Sequence, residues 1–185
     1  MEVIDAIHGR LSVGKVKPDE VPKEIIEKLL SAAVQAPNHY KVRPWRFVVL
    51  TGAARERLGH VMANSLKSEH PEYPTAAFDK ERSKPLRSPV LIAVGVDKPE
   101  EKKVIEVENI CATAAAVENL LLAAHAEGLG AKWRTGSPAR DSKVKQFLGF
   151  ETNQNLIGFI YIGYPEALVG PKERPSYEDR TVWMD

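Results

Sequence analysis

The stretch ENLLLAAHAEGLGAKWRTG, residues 118–136, decides the fold. Leu120, Leu121, Leu122, Ala123 and Ala124 end an Ala- and Leu-rich run that begins at Glu106, and Gly128 is the residue type that closes such a helix. The next apolar run, residues 131–134, reads as a short strand with a glycine on either side, Gly130 and Gly136. The apolar face of the helix is broad, which predicts burial on both sides. Cys111, within its alanine-rich part, then reads as a buried, inert thiol.

Residues 45–50 (WRFVVL), 90–96 (VLIAVGV) and 156–163 are β-branched or aromatic runs that predict three more strands. Val21, Ile25, Ile26, Leu29, Leu30, Ala33 and Val34 fall on one helical face, with Pro22 where a first turn tolerates it. That helix ends at Ala36-Pro37-Asn38-His39, since a residue preceding proline is pushed out of the α region. Leu58, Val61, Met62 and Leu66 predict a helix over 53–66. Residues 68–89, rich in prolines and charges, predict a mobile excursion. Residues 166–185 form a tail with too little apolar material for a core of its own, suited to lying across another surface.

The chain has 185 residues, the length of one domain, here taken as 1–185 with 166–185 as tail. Its 26 basic and 25 acidic side chains leave a formal charge of +1, so no broad field gathers nucleic acid or anionic lipid, and any anion must meet a local cluster. One cysteine excludes an internal disulfide framework and a multi-cysteine metal site. The acidic start Met1-Glu2-Val3-Ile4-Asp5 does not read as a secretory signal, and residues 110–124 fall short of a bilayer span; the expectation is a cytoplasmic protein away from membranes. There is no dinucleotide fingerprint between strand and helix, no GxxxxGK[ST] loop and no GxSxG elbow. The five histidines lack metal-ligand spacing, so no metal is expected.

Three polar clusters remain. Arg10 and Ser12 stand two apart where the chain turns; a guanidinium fork and a hydroxyl suit phosphate oxygens, while an arginine at a helix C-terminus also suits the dipole. Asn38, His39, Lys41 and Arg43 share one proline-bounded loop, either a binding loop or a solvated connector. Trp133, Arg134, Thr135 and Gly136 follow a glycine-flanked strand, where backbone can approach a flat ligand closely; a helix cap and a turn explain the glycines alone.

In this order, residues 7–12, 36–47, 119–130 and 157–174 resemble the nitroreductase family of FMN-dependent oxidoreductases. The resemblance implies an α+β fold, a central, mainly antiparallel sheet flanked by helices, and a homodimer whose C-terminal tails extend over the partner. It implies FMN at the subunit interface and NADH or NADPH as donor, with electron-poor acceptors such as nitroaromatics or quinones reduced by ping-pong hydride transfer. The chemistry would then belong to the flavin, with no catalytic side chain required. Arg10, Ser12, Lys172 and Arg174 would hold the phosphate. Asn38, His39, Lys41 and Arg43 would come from the partner or flank the ring, with Arg10 and Arg43 near its N1–O2 edge. Thr135 and Gly136 would present backbone to the ring, and Trp133 and Arg134 would line the opening. Leu11 and Gly14 depart from the family's basic positions; Lys15, Lys80, Arg82, Lys84 and Arg180 are the remaining candidates to complete the phosphate site. Flavin fragmentation, reductive dehalogenation or a non-catalytic flavin-binding dimer are the alternatives within this resemblance.

Overall fold

The computed structural model describes residues 1–167, 170 and 173–184. Its four strands lie where the apolar runs mark them: β1 Trp45–Leu50, β2 Val90–Val96, β3 Gly130–Arg134 and β4 Asn155–Gly163. They form one antiparallel sheet in the order β1-β2-β4-β3, so β1 and β3 are its two edges. The helices are α1 Val3–Gly9, α2 Lys23–Ala33, α3 Gly52–Glu69, α4 Thr75–Ser83, α5 Glu106–Ala126, α6 Ser137–Arg140 and α7 Ser142–Phe147.

Strand alternation divides the core into two layers. Val90, Ile92 and Val94 of β2 and Ile160 and Ile162 of β4 face α2 and α5, joining Leu29, Ala116, Val117 and Leu120. Leu91, Ala93, Phe159 and Tyr161 face the other way, onto Leu58 and Met62 of α3 and Val144 of α7. Helix α5 has the length and hydropathy to cross a membrane, but in this fold it is the central helix of the first layer.

Two expectations are corrected. Residues 68–89 are not an unstructured excursion: α4 packs along α3, and a 3-10 turn, Lys84–Arg87, leads into β2. The approach is close because Gly59 has no side chain; a Cβ there would run into the carbonyl oxygen of Arg82. Cys111 is exposed, because α5 buries only the stripe through Asn109, Ala112, Thr113, Ala116, Val117, Leu120, Leu121 and Ala124. Burial on both sides of α5 is therefore not found within one chain.

The end of the tail is uncovered. Val182, Trp183 and Met184 are 85%, 82% and 93% exposed, an unusual state for three consecutive large apolar side chains. Val3, Ile4 and Ile7 of α1 are exposed as well.

Candidate functional site

The fold joins the first and third polar clusters along the outer edge of β3. Ser12 bridges to Ala131 in parallel fashion, and the Val13 N–H donates to the Ala131 carbonyl at 3.0 Å. Ala131 thus turns its backbone polar groups outward, and by alternation Trp133 does too. None of the described residues pairs with Trp133 on that side. From Ala131 to Thr135 this edge runs about 13 Å.

At the Ser12 end, Arg10 is the C-cap of α1 and its Nε meets Glu118 of α5 at 3.1 Å. Arg174 donates to the Arg10 carbonyl at 3.4 Å, which brings the tail to this corner. Lys172 lies outside the described residues. Of the further basic candidates, Lys15 and Lys80 are exposed, while Arg82 and Arg180 are engaged with Asp79 and Asp179.

At the other end, Gly136 has φ +119 and ψ −166, a conformation close to glycine-only. Thr135 and Gly136 border a cavity of about 320 Å³ whose wall also carries Arg134, Lys84, Arg87 and Tyr161. The Arg134 guanidinium sits 5.5 Å from the centre of the Tyr161 ring, in cation–π contact. Burial pushes the Tyr161 phenol above its ordinary range, although Arg134 and Arg87 pull the other way. Lys84 is paired with Glu81; Arg87 has no acidic partner among the described residues. Three cations against one carboxylate give the cavity a positive character suited to an anionic ligand edge. Lys84 and Arg87 reach it only because α4 and its 3-10 turn are ordered.

The half-buried Trp133 side chain is tied to the fold. Its indole packs against the α2/α5 layer, and its Nε1 donates to the Ile157 carbonyl at 3.0 Å. Only its backbone faces the free edge.

The second cluster is elsewhere. Asn38–Arg43 feeds β1, at the opposite edge of the sheet, three inter-strand spacings or about 14 Å from β3. Arg43 is therefore not beside Arg10 within one chain. The loop is built tightly: the Asn38 Oδ1 accepts from the Arg43 N–H at 2.9 Å, and His39 meets Glu108 of α5 at 2.9 Å. Tyr40, Lys41 and Arg43 all have positive φ, at 52°, 57° and 50°. Non-glycine residues seldom adopt this conformation, so three within four positions are held there by the surrounding structure. His39, Lys41 and Arg43 are exposed.

A model of the nitroreductase family matches residues 7–164. YdjA of Escherichia coli K12, provisionally named an NAD(P)H nitroreductase, is 29% identical over 166 residues, 90% of each chain. A Methanothermobacter thermautotrophicus protein provisionally named an NADH dehydrogenase/NAD(P)H nitroreductase is 34% identical over 176 residues, 94% of this chain and 82% of that one. Among solved structures, a nitroreductase-like family protein from Bacillus cereus superposes with a TM-score of 0.86 at 25% identity, covering 100% of this chain and 97% of the other. The FMN-dependent nitroreductase NfnB from Mycobacterium smegmatis, solved with NADPH, shares the fold with a TM-score of 0.75 at 21% identity, over 98% and 97% of the chains. A four-stranded antiparallel sheet with helices on both faces is thus the fold that this chain shares with these proteins. The chain belongs to the nitroreductase family.

Proposed function

We propose that this chain is an FMN-dependent NAD(P)H oxidoreductase that works as a homodimer and reduces electron-poor acceptors such as nitroaromatics or quinones. The observation that carries the reading is the free backbone edge of β3, with Ser12 at one end and the cationic cavity at the Gly136 turn at the other. The donor set fits FMN: a hydroxyl and cations where an anionic phosphate would end, and unpaired strand backbone where a flat heterocycle offers donors and acceptors.

Ser12, Arg10 and Arg174 would hold the phosphate, with Lys172 contributing from the tail. Thr135 and Gly136 would orient the ring through backbone groups. Lys84, Arg87 and Arg134 would hold negative charge at the ring's N1–O2 edge, a role the site geometry favours over the pair Arg10 and Arg43. When bound, FMN would take hydride from NADH or NADPH at N5 and pass electrons to the acceptor in a separate half-reaction. No acid or base from the protein is needed to start either half.

Dimerisation explains what one chain leaves unfinished. Asn38, His39, Lys41 and Arg43 can approach a ligand at β3 only from a second copy, because their own β3 lies across the sheet. A partner would also cover Val182, Trp183 and Met184. A reducing cytoplasm suits the single exposed thiol.

The test is anaerobic titration of the flavin-loaded protein with NADH and NADPH. Stoichiometric bleaching of the visible flavin band by at least one of them, followed by recovery on adding a quinone or nitroaromatic, is the expected result. A protein that takes up no FMN, or whose flavin neither nucleotide bleaches, contradicts the proposal.

A further inference from the structure

Lys132 is the cation whose position the functional reading leaves unused. It alternates with Trp133, so its side chain stands on the same face of β3 as that of Arg134, about 6.8 Å along the strand. Its Nζ lies 3.6 Å, and its Cδ 3.7 Å, from the point a Cβ on Gly14 would occupy. A side chain at position 14 would be in ordinary van der Waals contact with Lys132, so the Lys132 amino group lies beside the Ser12–Gly14 segment. That place is fixed by neighbours: Ser12 bridges to Ala131, and Val13 bonds the Ala131 carbonyl. Lys132 is half-buried, yet it has no acidic or carbonyl partner among the described residues. Arg10, at the same corner, is already engaged with Glu118.

A partly desolvated ammonium without a partner gains more from an incoming anion than a cation already paired. We infer that Lys132 binds the phosphate of FMN beside Ser12, supplying from β3 the charge that Gly14 does not supply from the N-terminal segment. The inference rests on the FMN reading and adds to it a residue from a different element. Positions 14 and 132 are then neighbouring places from which one charge can reach the same group.

Flavin-free wild type, Lys132→Met and the double variant Gly14→Lys/Lys132→Met are titrated with FMN and with riboflavin, following quenching of flavin fluorescence. Riboflavin has the ring and the ribityl chain but no phosphate. Loss of one charge-assisted bond predicts FMN binding roughly 10- to 100-fold weaker in Lys132→Met. Riboflavin affinity should stay within about twofold, and the double variant should regain most of the FMN affinity, since a Lys at position 14 starts beside the place that the Lys132 amino group leaves. FMN affinity unchanged in Lys132→Met, or FMN and riboflavin weakened in parallel, overturns the assignment. A double variant that folds, by circular dichroism, and recovers nothing argues against it as well. Wild type that binds neither flavin overturns the FMN reading itself, a result distinct from the other three.

Discussion

A Gly136→Val chain is expected to purify largely free of flavin while keeping its helical circular dichroism. The expectation comes from backbone shape. Gly136 sits at φ +119, and an added Cβ would meet nothing closer than the Cδ of Pro138 at 3.8 Å, so space is not the obstacle. Any L side chain must leave this conformation or carry strain of about 1–3 kcal/mol, more so a β-branched one. The relaxed turn would move the Thr135–Gly136 backbone away from the cavity. At about 1.4 kcal/mol per decade, that strain corresponds to roughly 5- to 150-fold weaker FMN binding. Gly149, also at positive φ (+80) but in the turn after α7, is the control. Gly149→Ala should lower stability and leave flavin affinity alone. Equal flavin affinity in wild type and Gly136→Val would remove this turn from the site.

The second large effect is expected at Gly59. A Cβ there would collide with the Arg82 carbonyl oxygen, a backbone atom that cannot swing aside. Gly59→Ala must push α4 away from α3, and overpacking of this kind costs about 1–3 kcal/mol. For a chain of this size the melting temperature should fall by roughly 2–12 °C. The same displacement shifts Lys84 and Arg87, which follow α4, so FMN should bind more weakly as well. An unchanged melting temperature would mean that 75–87 does not pack as described.

Gly59 also shows why this region was illegible in the sequence. Helix α4, TAAFDKERS, has no apolar stripe; its buried residue is Glu81, and its docking depends on a gap in another helix. Periodicity reads stripes, not gaps. The four strands and α2 were legible because their apolar residues recur with the right period and turn signals bound them. In α5 the helix was legible but its orientation was not, since alanines occupy both the buried and exposed faces and leave Cys111 unmarked. Helices α6 and α7 went unread although one signal was present: Asp141 caps α7, accepting from the N–H groups of Lys143 and Val144 at 2.8 and 3.2 Å.

At the site, the polar clusters could be found from sequence, but their arrangement could not. Nothing in residues 38–43 says that β1 takes the far edge of the sheet, and strand order is set by packing between distant segments. Trp133 reads as a ligand contact because aromatic residues near glycines suit flat molecules; its bond to the Ile157 carbonyl is visible only in the fold. Lys132 was within reach of the sequence. Strand alternation alone places it with Arg134, but its proximity to Gly14 needs the fold.

The central claim is that one flavin is bound at each β3 edge and completed by a second copy of the chain. Native mass spectrometry of the FMN-loaded protein tests it most directly, because mass and bound ligand are read in one spectrum. The expected species has twice the 20.5 kDa chain mass and carries two FMN molecules. A flavin-loaded monomer would contradict the shared site, and a dimer that holds no FMN would contradict the cofactor.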